Sequence, residues 1–195
     1  MFADELRRRL AGILELSASQ VATLQAHYEL LCRWNRALNL TTITDLEGAV
    51  ERHYCESLFL AAHLPNAALR VADVGSGAGF PGFPLAVLRL DCSVTLIESR
   101  QRKSVFLREA TRKLANVQVL AVRAEKVGER FDWAVARAVS YQDLAPILKK
   151  LAPNVALLMG AEAPPDPIGF VWDEAIALPW GKQRFLRTAS QTSFT

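Results

Sequence analysis

The sequence has few cysteines, no long hydrophobic run and little excess charge of either sign. Only 3 of its 195 residues are cysteine, and their spacing is not that of a metal site. We therefore expect no metal centre, and buried free thiols in a reducing compartment. The longest apolar stretch, residues 58–69, is interrupted by His63 and Pro65 and is shorter than the roughly 18 residues of a membrane span.

Charge and the first residues point to a protein without membrane association. The formal net charge of +3 permits a polyanionic partner but does not require one. The first nine residues mix acids and bases and are not followed by the apolar region of a secretory signal. These features predict a cytoplasmic protein.

Length and composition favour one α/β domain. A chain of 195 residues suits one main core with a small appendage, and 51% hydrophobic residues suffice to fill that core. We expect a helical region over residues 1–65 packed on a core of residues 66–195, within one structural domain and as a monomer.

Residues 2–64 show the periodicity of helices. Apolar residues recur at three- and four-residue steps, Ser17 or Ser19 can cap one helix, and Asp45 can cap a later one. This predicts an N-terminal helical cap.

After residue 66, short apolar runs alternate with amphipathic segments. The alternation predicts a doubly wound, mostly parallel sheet, closed by an antiparallel hairpin after a proline-rich connection over residues 161–170. The predicted strands are residues 69–73, 93–98, 117–124, 132–138 and 154–159, and the predicted helices between them are residues 83–88, 99–114 and 142–150.

A glycine-rich loop follows the first predicted strand. Asp73 is followed by Gly75, Gly77 and Gly79 at alternate positions, directly before a helix. Backbone N–H groups without neighbouring side chains at a helix start suit a nucleotide-like ligand. The dinucleotide fingerprint requires its third glycine at the position of Phe80. A carboxylate at position 73 also suits a cationic sulfonium better than a pyrophosphate.

The glycine pattern resembles motif I of the class I S-adenosylmethionine-dependent methyltransferases. The resemblance implies a Rossmann-like fold and S-adenosyl-L-methionine as the cofactor. Glu98 ends the second predicted strand, about 20 residues beyond the glycines, where an acid can accept both ribose hydroxyls. The same residue also suits the start of the next helix.

Further motifs narrow the resemblance. They are WNRALNLTTITD (34–45), ERHYCESL (51–58), DVGSGAGFPGFPLAV (73–87), ESRQRKSVFL (98–107) and ARAVS (136–140). In this order they resemble the bacterial 16S ribosomal RNA guanine-N7 methyltransferases, the glucose-inhibited division protein B family. The resemblance implies methylation of a guanine N7 in 16S ribosomal RNA, either free or in a small-subunit assembly intermediate.

The resemblance also assigns residues by matching position. The cofactor-binding residues would be Gly75, Gly77, Gly79, Phe80, Glu98, Ala124, Glu125 and Arg137. The residues close to the methyl donor or the RNA would be Arg52, His53, Ser57 and Arg137. Guanine N7 carries an exposed lone pair, so the reaction needs positioning rather than a general base, and no catalytic residue is assigned.

RNA recognition needs access to N7, which the deep major groove of A-form RNA hides. The target is therefore expected in a loop or unstacked. Trp34, Phe80 and Phe83 are candidates for stacking on a base, although aromatic residues in such positions more often belong to the core. Basic residues are available at Arg33, Arg36, Arg52, Arg100, Arg102, Lys103, Arg108, Arg112, Lys113, Lys149 and Lys150. Along residues 100–113 a solvated helix face explains them equally well.

Two features depart from the family pattern. Met159 precedes Gly160 where the family has lysine, and residues 161–169 are short and proline-rich where relatives carry a helix. Both departures concern RNA affinity more than cofactor binding. Three other functions stay open at this stage: a methyltransferase for a small molecule or a protein, a catalytically weak cofactor-binding module, and a nicotinamide-dependent oxidoreductase.

Overall fold

A computed structural model of the chain describes residues 1–137, 141–161 and 169–192. The helices are α1 (Phe2–Leu10), α2 (Ala18–Leu38), α3 (Leu46–Ala49), α4 (Glu56–His63), α5 (Gly82–Leu88), α6 (Gln101–Thr111) and α7 (Tyr141–Leu151). A π-helical segment (Val50–Cys55) joins α3 to α4, and a 3₁₀ turn spans Ala124–Lys126. The strands are β1 (Arg70–Val74), β2 (Ser93–Ile97), β3 (Val117–Leu120), β4 (Trp133–Arg137), β5 (Asn154–Gly160), β6 (Phe170–Trp172), β7 (Ile176–Ala177) and β8 (Arg184–Gln191).

These strands form a mostly parallel sheet in the order β3-β2-β1-β4-β5-β8-β6, with β7 also paired to β8. Strands β1 to β5 pair in parallel, whereas β8 runs antiparallel to β5, β6 and β7. The strand order reverses between β1 and β4, the position at which doubly wound sheets bind ligands. The predicted Rossmann-like fold class is confirmed, including its helical N-terminal region and antiparallel C-terminal strands.

Alternate residues of the buried strands serve two cores on opposite faces of the sheet. On β1, Val71 packs in the core that contains α5 and α6, while Ala72 and Val74 pack in the core that contains α7. Leu157 and Leu158 on β5 divide in the same way. Burial on both faces explains why these strands read as continuous apolar runs in the sequence.

The N-terminal helices pack on the face that carries α5 and α6 and share its hydrophobic core. Helix α2 begins with a capping box, in which Ser17 Oγ accepts the Gln20 N–H at 3.2 Å and Gln20 Oε1 accepts the Ser17 N–H at 2.8 Å. Asp45 Oδ1 caps α3 by accepting the Gly48 N–H at 2.6 Å. Both predicted caps are confirmed, and the division of the chain at residue 65 stays a prediction.

Strand β3 and one cysteine differ from the sequence-based expectations. Strand β3 ends at Leu120 rather than at Ala124, because it pairs only with β2, whose last residue, Ile97, lies opposite Leu120. Cys32 is exposed, whereas the expectation of burial is correct for Cys55 and Cys92.

Two features bear on membrane association and on the C-terminal departure from the family. No helix within the described residues is long and apolar enough to cross a membrane. Most of the proline-rich segment, residues 162–168, lies outside the described residues.

A close junction connects β1 to α5. Asp73, the fourth residue of β1, is fully buried, and its Oδ2 accepts the N–H of Gly82 at 2.9 Å. A Cβ at Gly82 would lie against a methyl group of Leu96 and 2.6 Å from Asp73 Oδ2. Burial raises the pKa of Asp73 from 3.8 to about 7. The first turn of α5 therefore rests on a buried carboxyl group, with no room for a side chain.

His27 connects α2 to the loop after β1. Its Nδ1 lies 2.7 Å from the Tyr54 hydroxyl, its Nε2 lies 3.1 Å from the Ala78 carbonyl oxygen, and its ring stacks on Phe83 at 4.0 Å. Since a carbonyl oxygen only accepts, we assign the proton to Nε2 and the hydroxyl as donor to Nδ1. Burial lowers the pKa of His27 from 6.5 to about 3, so the imidazole is neutral at neutral pH.

We predict that Gly82→Ala destabilises the protein by about 2 kcal/mol, because the added methyl group overpacks the junction. Denaturant unfolding measures the loss. Gly128→Ala is the matched control, since no described atom lies within 4 Å of a Cβ there. Equal unfolding midpoints for the two variants would contradict the packing of α5 on Asp73.

We also predict that His27 makes stability fall as the pH drops below 6.5. The folded pKa of about 3 lies below the unfolded value, so the unfolded state binds a proton that the folded state does not. His27→Gln is less stable than wild type at about pH 8, and the difference shrinks by about 2 kcal/mol at about pH 5. Urea unfolding at both pH values tests this prediction. A constant difference would mean that the buried imidazole takes up a proton in the folded state.

Candidate functional site

The loop after β1 turns through three glycines with left-handed backbone angles. The φ angles of Gly75, Gly77 and Gly79 are 73°, 57° and 94°, which strain any residue with a side chain. The N–H groups of Gly75 and Ser76 donate to the Ile97 carbonyl oxygen at 3.0 and 3.1 Å. The loop is thereby held against the carboxyl end of β2, with Gly75 exposed and Gly77 half-buried.

Two of these glycines serve different purposes. A Cβ at Gly79 would lie 3.1 Å from Phe83 Cβ and 3.4 Å from His27 Nε2, so Gly79 permits close packing inside the core. Among the described atoms, a Cβ at Gly77 would contact only the Gly75 carbonyl oxygen, at 3.8 Å. Gly77 therefore presents bare main chain to open space at the edge of the sheet.

Glu98 lies directly beside this main chain. Its Oε2 accepts the Gly77 N–H at 3.0 Å, its Oε1 accepts the Arg100 N–H at 2.7 Å, and the residue is only 7% exposed. Each carboxylate oxygen keeps a further lone pair for a ligand hydroxyl. The sequence placed Glu98 near the glycines, and the structure brings them into hydrogen-bond contact.

Arg137, at the end of β4, lies over the ring of Phe80. Its guanidinium carbon is 5.2 Å from the ring centroid, and its Nη1 donates to the Arg52 carbonyl oxygen at 2.6 Å. Burial lowers the pKa of Arg137 from 12.5 to about 10, so it stays charged at neutral pH. The Phe80 side chain is only 4% exposed and belongs to the core. A positive charge is thus held at the carboxyl edge of the sheet, close to the π-helical segment.

His53 belongs to that π-helical segment. Its ring stacks on Phe80 with centroids 4.6 Å apart, and its Nε2 lies 2.8 Å from the Thr41 hydroxyl. Its buried Nδ1 has no hydrogen-bond partner among the described residues. Burial, with a smaller effect from the charge of Arg137, lowers the pKa of His53 to about 3. His53 is therefore neutral at neutral pH, and its ring packs against Phe80.

The remaining predicted residues lie in three places. Ser57 is buried and its hydroxyl donates to the His53 carbonyl oxygen at 2.5 Å, so it stabilises the π-helical segment. Arg52 has an exposed side chain. Ala124 and Glu125 lie in the 3₁₀ turn beyond β3, where the Glu125 carbonyl accepts from Lys150 Nζ at 2.8 Å. The structure thus joins the glycines, Glu98, Phe80, Arg137 and His53, and leaves Ser57 behind them.

Sequence reasoning assigned no functional part to His27, which contacts the glycine loop through Ala78. The periodicity of α2 contained a signal, since His27 follows Leu24 by three residues and precedes Leu31 by four, and both leucines are buried. A histidine on a buried helix face needs a polar partner. Thr41, the partner of His53, carried no comparable signal.

Known proteins of similar sequence are ribosomal RNA methyltransferases. The family model described as GidB, rRNA small subunit methyltransferase G, matches residues 20–159. A ribosomal RNA small subunit methyltransferase G from Halorhodospira halophila is 44% identical over 160 residues, covering 78% of this chain and 75% of the relative. The protein of that name from Chromobacterium violaceum is 42% identical over 141 residues, covering 70% of this chain and 67% of the relative.

Solved structures share the fold at low sequence identity. A SAM-dependent methyltransferase from Aquifex aeolicus superposes with a TM-score of 0.59 at 18% identity, covering 74% of this chain and 93% of the other. The 1,6-didemethyltoxoflavin-N1-methyltransferase of Burkholderia thailandensis, solved with bound S-adenosylhomocysteine, gives 0.57 at 18% identity and covers 92% of this chain and 93% of the other. The family match spans the glycine loop, Glu98 and Arg137, and this chain belongs to the GidB family of ribosomal RNA small subunit methyltransferases.

Proposed function

We propose that the protein transfers a methyl group from S-adenosyl-L-methionine to N7 of a guanine in 16S ribosomal RNA. The observation that carries the proposal is the buried Glu98 carboxylate bonded to the open main chain of Gly77, in a chain of this family. A cofactor with a ribose and an amino acid group fits such a site, because it needs both an acceptor for its hydroxyls and close approach to backbone.

The residues at the sheet edge fit this cofactor in several ways. Gly77 offers bare main chain beside open space, Gly75 is exposed, and Glu98 keeps free lone pairs for two ribose hydroxyls. Ala124 and Glu125 lie beyond β3, which pairs with β2, the strand that Glu98 follows, and we place the adenine there. Gly79 and Phe80 form the packed base of the loop rather than its open side.

Arg137 is charged and partly buried at the same edge. A guanidinium there suits an anionic group, either the carboxylate of the cofactor's methionine or a phosphate of the RNA. The exposed Arg52 lies next to it in the fold, since its carbonyl accepts from Arg137. His53 and Ser57 act through Phe80 and the π-helical segment, without reaching the substrate themselves.

The chemistry requires little from the protein beyond orientation. The cofactor supplies a methyl group activated by a sulfonium. The guanine N7 lone pair attacks without losing a proton, so the neutral state of His53 is no obstacle. Holding the nitrogen in line with the methyl group in a closed site lowers the barrier by up to about 7–11 kcal/mol in ideal cases.

The substrate we propose is 16S ribosomal RNA, either free or in a small-subunit assembly intermediate. The names of the relatives support RNA over a small molecule or a protein. A ribosomal substrate would place the enzyme in the cytoplasm, where we propose that it acts as a monomer. The target guanine must be unstacked or lie in a loop, because the deep and narrow major groove of an RNA helix hides N7.

We predict that the purified protein transfers labelled methyl groups from S-adenosyl-L-methionine to unmodified 16S RNA or to small subunits assembled from it. We expect the labelled base to be N7-methylguanine. Reduction followed by aniline treatment cleaves the RNA strand at this base, and the cleavage site gives its position. Label that reaches only protein or small molecules would reject the proposal. Label in RNA at another atom would reject the N7 assignment alone.

We predict that Gly77→Val weakens binding of S-adenosylhomocysteine roughly 100-fold, because a branched side chain at a positive φ blocks close approach to the main chain. Isothermal titration calorimetry measures this loss. Gly12→Val is the matched control, since Gly12 also has a positive φ, of 76°, with no described atom within 4 Å of a Cβ. Similar affinities for both variants would place the cofactor elsewhere.

A further inference from the structure

A groove between α2 and α6 lies outside the site described above. Its volume is about 970 Å³, and its floor is apolar. Leu30, Trp34 and Leu38 contribute from α2, and Val105, which is 44% exposed, contributes from α6. An aromatic and aliphatic floor open to solvent is unusual unless it receives a ligand or a partner.

Arginines form the rim of this groove. Arg33 and Arg108 line it, and neither has an ion-pair partner among the described residues. Glu29, one turn before Arg33, accepts a hydrogen bond from Gln25 at 3.0 Å instead. These two guanidinium groups therefore keep their donors available.

Other arginines of the protein are used differently. Several pair with carboxylates at 2.5–2.9 Å, namely Arg8, Arg70, Arg89 and Arg184. The single acid lining the groove, Glu109, lies 4.0 Å from Arg112 on the same helix. When Glu109 and Arg112 are taken as a neutral pair, the charges of Arg33 and Arg108 remain. The groove is therefore positively charged and suits an anion.

Trp34 connects the groove to the glycine loop through buried rings. Its ring is partly exposed and lies 5.7 Å from Phe106 in edge contact. Phe106 lies 5.8 Å from His27, whose Nε2 is bonded to Ala78 of the loop. Of the three aromatic residues predicted as stacking candidates, Phe80 and Phe83 are buried, and only Trp34 offers a surface.

Further basic residues lie at the end of α6 that is next to the site. Arg100, Arg102 and Lys103 lie at its first turn, directly after Glu98, and have exposed or half-exposed side chains. Arg108 follows further along the helix. At 1.5 Å per residue, residues 100–112 span roughly 18 Å, which is long enough for several nucleotides of a single strand.

We propose that this groove binds a single-stranded segment of the RNA substrate beside the target guanine, with a base on Trp34 and phosphates on Arg33 and Arg108. The proposal rests on the proposed function. Single-stranded nucleic acid is bound by aromatic platforms for stacking and cations for phosphates, and both are present here. The same strand would connect the groove to the site along α6, since the N–H of Arg100 at the start of this helix is bonded to Glu98.

The test is steady-state methylation of unmodified, protein-free 16S RNA by Arg33→Gln/Arg108→Gln at several salt concentrations. We expect KM for RNA to rise on the order of tenfold at about 0.1 M salt, with the slope of log KM against log salt reduced by about 1.4. The affinity for S-adenosylhomocysteine and kcat at saturating RNA stay at wild-type values. The matched control is Arg7→Gln/Arg130→Gln, which removes two exposed arginines elsewhere and should keep wild-type KM.

A second variant separates stacking from charge. Trp34→Leu keeps an apolar side chain against Phe106 but removes the platform, so KM should rise while the salt slope stays as in wild type. A normal KM for Trp34→Leu would overturn the stacking contact.

The outcomes distinguish the inference from the function. Wild-type protein that methylates no RNA refutes the proposed function. Active wild-type protein with unchanged KM in the double arginine variant refutes the groove alone. If that variant is normal on protein-free RNA but impaired on small subunits, the groove binds a ribosomal protein, and the RNA proposal is wrong.

Discussion

The main chain turns sharply between β1 and α5, directly above the packed core. The rest of the site depends on the hydrogen bonds that fix this turn. Two carboxylates hold it from opposite ends: Asp73 accepts the Gly82 N–H, and Glu98 accepts the Gly77 N–H. A buried backbone N–H needs a partner, and these acids supply one without a side chain on the loop itself. The acids thus hold the turn by its backbone, and the glycines allow its left-handed conformation.

The rings beneath the loop make the N-terminal helices part of the site. His27 bonds the Ala78 carbonyl, and His53 stacks on Phe80, so α2 and the π-helical segment both support the turn. Both histidines are buried and have pKa values near 3, which keeps them neutral. Neutral rings pack without an uncompensated charge, and they suit a reaction in which the nucleophile loses no proton. The sequence predicted this helical region only as a cap on the core. In the structure it is hydrogen-bonded to the loop that we propose holds the cofactor.

Sequence patterns predicted the parts of the fold that repeat. Strands buried on both faces give apolar runs, and the caps at Ser17 and Asp45 give local signals that depend on few residues. The end of β3 was missed because it depends on the partner strand, since pairing stops where β2 stops at Ile97. The π-helical segment was missed as well. Glu98 lies beside the glycines because the two parallel strands end at one edge of the sheet, whereas no sequence pattern indicated that Ser57 is buried and bonded to the His53 carbonyl oxygen. The roles of both residues toward a ligand stay predictions.

The sequence by itself determined the alternation of helices and strands, the glycine turn and the position of an acid at the end of the second strand. These features follow from periodicity and from the steric freedom of glycine, which act within short stretches of chain. Only the tertiary structure decided which aromatic rings are buried, which histidines are neutral and which arginines lack carboxylate partners. Burial and ion pairing depend on residues that are distant in sequence, such as the paired Glu56 and Arg184. A local sequence pattern does not predict which distant residues come into contact.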